Sequence, residues 1–226
     1  MKNKLFLMLS ISALGISLTG CSASFSAGNG SANTTKPANV KTAASPAAHK
    51  PGTVVQNEKK PEGTAKTANK EVPVPADWVY FYDEQKGYGF SMPAGTTSEN
   101  IDSNGIDVTS LTTPSGIDIF TLAYKDKTLT KEDLLKDAVT FLEGLGQKVT
   151  PGTMKAESDD YAVADATTVT EDGSKGKLRI MAGTDVTDNY VMILGTDTDK
   201  FAANEKIIDE IWGSFEMWSG GSSGSK

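Results

Sequence analysis

Residues 117–146 read IDIFTLAYKDKTLTKEDLLKDAVTFLEGLG, and the hydrophobic period changes inside them. From Ile117 to Tyr124 the period is two. Ile117, Ile119 and Ala123 face one way, and Phe120, Leu122 and Tyr124 face the other, as in a strand. From Leu134 onward, Leu134, Leu135, Ala138, Phe141, Leu142 and Leu145 recur at the spacing of one helix face. Thr130-Lys131-Glu132-Asp133 has the form of a capping box, which sets the helix start, and Gly146 supplies the stop. A strand followed at once by a helix of this kind sets the pattern for its surroundings.

Upstream, order is expected to begin near Asp77. Residues 78–82 are aromatic and β-prone, Gln85-Lys86-Gly87 makes a turn, and residues 88–92 form a second strand that stops at Pro93. Residues 106–112 alternate, with Ile106 and Val108 on one face, and Pro114-Ser115-Gly116 turns the chain into the strand at 117–124. Downstream come a short strand within 147–155 and three longer ones. Residues 161–170 carry a small face of Ala162, Ala164 and Ala166, residues 177–183 present Leu178, Ile180 and Ala182, and 190–195 are apolar throughout. Turns are expected at 171–175 and 184–189. A last helix over 199–217 carries Phe201, Ile207, Ile208, Ile211, Trp212 and Phe215 as its apolar stripe. The order and pattern predict one α+β domain over 77–218, a twisted, largely antiparallel sheet flanked by helices. No linker-like stretch interrupts it.

The run Tyr82…Gly87-Tyr88-Gly89-Phe90-Ser91-Met92-Pro93 and the closing Ile211-Trp212-Gly213-Ser214-Phe215 resemble the PsbP-like superfamily, which includes the bacterial DcrB-like lipoproteins. The resemblance spans most of 77–218. It implies an α/β/α sandwich and non-enzymatic accessory or binding roles, and it assigns no catalytic motif to any residue.

The N-terminus has a different character. Lys2 and Lys4 precede an apolar run over 5–16, shorter than the roughly 20 apolar residues of a spanning helix. Leu18-Thr19-Gly20-Cys21 follows and resembles the bacterial lipobox. The resemblance implies that residues 1–20 are a signal peptide, cut between Gly20 and Cys21. The Cys21 thiol then carries diacylglycerol and holds the chain on a membrane surface, facing away from the cytoplasm. Two acyl chains on one residue anchor stably, where a single chain would be marginal. Neither the envelope type nor the final membrane follows from these residues.

Residues 21–76 are expected to be the lipidated cysteine and a disordered tether. From residue 22 they are rich in Ala, Ser, Thr, Lys, Pro, Gly and Asn, with seven Lys against three Glu and no sustained period. A coil of this length spans roughly 40 Å. Residues 219–226 are expected to be a flexible tail.

Charge and residue inventory remove whole classes of function. Residues 77–218 carry 12 Lys and Arg against 26 Asp and Glu, a balance that repels phosphate backbones and argues against nucleic-acid binding. The one histidine, His49, lies in the tether, and the one cysteine is Cys21. Serine–histidine and cysteine–histidine catalysis, histidine-bound zinc and thiol redox work are therefore absent from the domain. Neither a P-loop nor a dinucleotide fingerprint occurs, and no cofactor is expected.

Carboxylates remain. Asp159-Asp160 and Glu171-Asp172 are adjacent pairs of the kind a wall hydrolase needs, although neighbours along a strand diverge and aspartates favour turns. Asp185 and Asp188 flank one turn; Asp197 and Asp199 begin the last helix. Hard cations seek clustered oxygens. The strand between these two groups puts them at opposite ends, whereas Glu171 and Asp172 fall at the same end as Asp197 and Asp199. These four are the candidates for a metal. Trp78, Tyr80, Phe81, Tyr82 and Trp218 offer aromatic surface to a ligand or, more simply, to the core, with Trp218 a candidate for exposure. The leading expectation is a lipid-anchored, non-catalytic envelope protein that binds another envelope protein. The alternatives are a small-ligand or cation-binding lipoprotein and a carboxylate-dependent wall hydrolase.

Overall fold

The computed structural model describes residues 53–54, 60, 66–67, 73–99, 101, 108–125, 127–185 and 188–218. Residues 1–20, Cys21 and the tail at 219–226 lie outside them. The described residues form β1 (Thr53–Val54), β2 (Lys66–Thr67), β3 (Val79–Asp83), β4 (Tyr88–Met92), β5 (Thr97–Ser98), β6 (Val108–Thr112) and β7 (Asp118–Tyr124). Helix α1 (Lys131–Gly144) follows, then β8 (Gln147–Pro151), β9 (Lys155–Ala156), β10 (Tyr161–Thr170), β11 (Lys175–Asp185), β12 (Asp188–Asp197), α2 (Thr198–Gly213) and β13 (Glu216–Met217).

Two sheets result, and every pairing among the described residues is antiparallel. The large sheet runs β1-β5-β6-β7-β12-β11-β10-β8, with β9 also on β10. The small sheet runs β2-β13-β4-β3. Alternation along β7, β11 and β12 gives the large sheet two apolar faces. Phe120, Leu122, Leu178, Ile180, Val191 and Ile193 pack against Leu134, Ala138, Phe141 and Leu142 of α1. Ile119, Met181, Tyr190, Met192 and Leu194 pack against Phe201, Ile208, Ile211 and Trp212 of α2 and against Phe81, Tyr88 and Phe90 of the small sheet. The expected α+β fold, an antiparallel sheet flanked by two helices, is present. The small sheet shares one face with α2, and the sequence pattern did not separate it from the large one.

Helix α1 starts and stops where its sequence directs. The Asp133 N–H donates to Thr130 Oγ1 at 3.1 Å while the Thr130 N–H donates to Asp133 Oδ2 at 3.2 Å. At the other end Gly146 sits at φ 78°, and its N–H reaches the Glu143 carbonyl at 2.9 Å. A residue with a Cβ would be strained there.

Helix α2 stops at Gly213, four residues before its expected end at Met217. Glycine is a poor helix former. Ser214 then ties the exit: its hydroxyl donates to the Ile211 carbonyl at 2.8 Å and accepts the Ser91 N–H at 2.9 Å. Phe215 turns into the core, and Glu216–Met217 pairs with Tyr88–Gly89 of β4. The free edge of β4 gains backbone partners that a longer helix would have denied it. Trp218, offered as an exposed side chain by the sequence, is only 7% exposed.

Two short pieces of the expected disordered tether are strands. Thr53–Val54 pairs with β5 at one edge of the large sheet, and Lys66–Thr67 pairs with β13 at one edge of the small sheet. Pairing shields edges that would otherwise recruit other chains. Most other residues of 22–76 lie outside the described ones.

Gly89 marks the tightest backbone approach in the small sheet. A Cβ there would lie 2.7 Å from Tyr80 Cζ and 2.8 Å from the Phe81 carbonyl oxygen. Gly89→Ala is expected to lower stability by about 1–3 kcal/mol, as overpacking does, measured by urea unfolding. Gly144→Ala, where a methyl meets nothing within 4 Å, is the control and is expected to leave stability unchanged or raise it.

Candidate functional site

The small sheet carries a polar notch built from three of its elements. Tyr80 comes from β3, Glu216 from β13, and Trp218 from the residue just after β13. In register, Gly89 of β4 lies between Tyr82 and Glu216. Because Gly89 has no side chain, the Tyr80 ring can cross over it. The Tyr80 hydroxyl donates to Glu216 Oε2 at 2.8 Å and accepts the Trp218 indole N–H at 3.2 Å. Burial pushes the Tyr80 hydroxyl well above the usual tyrosine range; the Trp218 N–H works against this, and the Glu216 charge adds to it. Tyr80 therefore stays neutral and keeps donating. Tyr82 meets the Trp218 ring edge-on, centroids 6.2 Å apart.

Lys60 fills the notch. Its ammonium donates to Glu216 Oε1 at 2.5 Å and lies 5.7 Å and 5.9 Å from the Tyr80 and Trp218 ring centroids. A largely buried carboxylate between two aromatic rings is a receptor for an ammonium group. Both Glu216 oxygens are engaged in hydrogen bonds, so the arrangement holds a cation.

Two further clusters fasten the layers together. The Tyr190 hydroxyl donates to the Lys86 carbonyl at 2.7 Å and accepts from Lys125, whose ammonium also donates to Asp188 at 2.7 Å. Burial alone would pull the Lys125 pKa down, but the bonds to Asp188 and Tyr190 carry it above the usual lysine value. The Lys86 ammonium and the Tyr88 hydroxyl both donate to Thr109 Oγ1, at 3.1 Å and 2.7 Å, tying the β3–β4 turn to β6. Arg179, the sole arginine of the chain, bonds Asp165 on β10 at 3.1 Å, contacts Asp209, and lies 3.7 Å from Glu205 on α2. It pins α2 to the sheet.

The acidic loops fall where the strand order places them. Gly176 pairs with Asp197, so Glu171, Asp172, Asp197 and Asp199 share one end of the sheet, and Asp185 pairs with Asp188 at the other. They are not assembled into a cation site. Asp172 accepts the Thr170 hydroxyl and the Ser174 N–H in its own turn. Asp197 pairs with Lys200, and Glu171 and Asp199 are exposed. Among the described residues no three acidic, histidine or cysteine groups are placed to hold a metal. Asp159 is exposed in the bend before β10, beside half-buried Asp160. Of the aromatic stretch, Phe81 joins the core, and Tyr80 and Tyr82 line the notch. Gly20 and Cys21 lie outside the described residues.

Glu216 and Asp118 are buried carboxylates that sequence reasoning did not single out. Glu216 was hidden in the helical stripe of α2. Asp118 sat in plain view as the single charge in an apolar strand. It is 5% exposed and accepts the Thr112 hydroxyl at 2.8 Å. Burial raises its pKa to about 7; the Thr112 bond opposes this, and the charges of Glu99 and Asp197 add to it.

Comparison with known proteins places the fold. Neither the known protein families nor the curated proteins contain a match to the sequence. Among solved structures, the solution structure of cyanobacterial PsbP (CyanoP) from Synechocystis is similar, with a TM-score of 0.52 at 17% identity, covering 70% of this chain and 100% of that one. A crystal structure from Bacteroides thetaiotaomicron overlaps more loosely, with a TM-score of 0.41 at 12% identity, covering 63% of this chain and 49% of that one. The domain has the PsbP-like fold.

Asp118 makes stability depend on pH. The unfolded chain releases this proton near pH 4, and the folded chain keeps it until about pH 7. The folded state binds more protons in that window, so this contribution to stability falls as pH rises through it and is constant above. Asp118→Asn keeps an acceptor for Thr112 and removes the titration. Relative to the native chain, its stability is expected to rise between pH 4 and 7 by on the order of 1–3 kcal/mol. Parallel urea titrations across that range check this; a constant difference would contradict it.

Proposed function

We propose that this chain is a lipid-anchored, non-catalytic accessory protein of a bacterial envelope, and that its domain works by binding another envelope protein. The observation that carries the reading is Leu18-Thr19-Gly20-Cys21, set behind a basic start and a short apolar run and ending on the sole cysteine of the chain. Lipid on Cys21 holds the protein at a membrane, with the domain outside the cytoplasm. The residue inventory supports a non-catalytic role, since the domain carries neither histidine nor cysteine. The use made of its polar groups supports it further. Lys125, Tyr190 and Arg179 join sheets and helix, and the notch is shaped to hold a cation.

Labelling cells with an alkyne fatty acid tests the anchor. The native chain is expected to take up label and sediment with membranes. Cys21→Ala is expected to take up none. Equal labelling of both would overturn the assignment. In-cell crosslinking tests the binding role: one envelope protein should be captured repeatedly by the native chain and lost with Cys21→Ala. Failure to enrich any envelope protein would contradict that role.

A further inference from the structure

The small sheet is already occupied at its outer edge by the chain itself. Lys66–Thr67 pairs antiparallel with Glu216–Met217, and Lys60 enters the notch of Tyr80, Glu216 and Trp218. The two sides of this contact are unequal. Glu216, Met217 and Trp218 are each 7% exposed or less, and they are fixed from below by pairing with β4 and by the bond from the Trp218 N–H to the Gly87 carbonyl at 2.8 Å. The Lys60 side chain, by contrast, is 55% exposed, and the pairing at Lys66–Thr67 is only two residues long. A rigid, pre-formed receptor thus holds a slight occupant.

The receptor has two recognition elements. A sheet edge offers backbone N–H and C=O groups to any extended chain, with little regard for its sequence. The notch adds chemistry: a carboxylate with its second oxygen held by Tyr80, and two ring faces, together select an ammonium. The chain's own segment keeps its place through covalent proximity, because a segment joined by a short linker acts at an effective concentration near millimolar. A free segment of the same chemistry competes only when that advantage is lost or when it makes additional contacts elsewhere.

We infer that the Glu216–Met217 edge and the Tyr80–Glu216–Trp218 notch form a binding site for a lysine-bearing extended peptide of a partner protein, held closed in the free chain by Lys60 and Lys66–Thr67. The inference rests on the partner-binding role proposed above and names the surface and the ligand class for it. Binding in trans displaces Lys60, and the freed segment lengthens the connection between domain and membrane. Lys60 and Lys66–Thr67 then act as the gate on the site.

A fluorescent peptide with the sequence of residues 56–70, added to the full-length protein, tests this by anisotropy. The native chain is expected to bind it weakly, since its own segment fills the site. Full-length Lys60→Ala is expected to bind it about tenfold tighter, with the competitor weakened. A peptide carrying Ala at the position of Lys60 is expected to lose most of that binding; this arm leaves the protein untouched and so does not depend on any variant folding. Adding Glu216→Gln to the Lys60→Ala chain is expected to abolish the gain, with near-ultraviolet circular dichroism reporting on the fold. Equal binding to native and Lys60→Ala chains, binding to neither, or indifference to the lysine of the peptide would each overturn the inference. None of these outcomes touches the fatty-acid labelling or the crosslinking, so the site can fail while the anchored, partner-binding reading stands.

Discussion

Phe215 packs its ring against Tyr88, Phe90 and Tyr190, at centroid separations of 5.8, 6.4 and 5.9 Å. That contact joins three parts of the chain: the exit of α2, the small sheet and the large sheet. Burying a phenylalanine fully contributes about 2–3 kcal/mol, and the edge-on and stacked rings add to that. To place it, α2 must end at Gly213, and the residues after Phe215 must run along β4. Glu216 is thereby carried under Tyr80, and Trp218 is laid beside Tyr82. The notch is a by-product of seating one aromatic side chain, which is why its groups are so well fixed.

Charge organises the next level. The domain over 77–218 is strongly acidic, and residues 22–76 carry seven Lys against three Glu. A basic segment is drawn toward an acidic domain at low ionic strength and released as salt screens it. At Lys60 that attraction is sharpened by a largely buried carboxylate and two rings. Arg179 plays the converse part inside the domain, where one guanidinium serves three carboxylates from β10 and α2.

Much of the fold is legible in the sequence because much of it is local. The capping box at Thr130, the stop at Gly146 and the alternation along 117–124 each report a neighbourhood of a few residues. The β10–β11–β12 meander follows because consecutive antiparallel strands joined by short turns pair with each other. Features set by distant partners were not legible. Two-residue strands such as Lys66–Thr67 have no period to read, and their pairing depends on an edge about 150 residues away. Glu216 was concealed because Ile211, Trp212 and Phe215 continue a helical spacing, and only the free edge of β4 decides against it. The acidic loops looked like ligands because aspartates crowd there. Turn hydrogen bonds and an ion pair to Lys200 account for Asp172 and Asp197.

The C-terminal run from Phe215 to Trp218 is part of the core, and Lys66–Thr67 is joined to it by two residues of backbone pairing. Native-state hydrogen exchange of the full-length protein measures both at once. The Trp218 amide, bonded to the Gly87 carbonyl, is expected to exchange only with global unfolding, in step with the amides of β11 and β12. The amides of Lys66 and Thr67 are expected to exchange far faster, by local opening. If Trp218 exchanged as fast as Lys66 and Thr67, the small sheet would be a surface flap and the pre-formed notch would not exist.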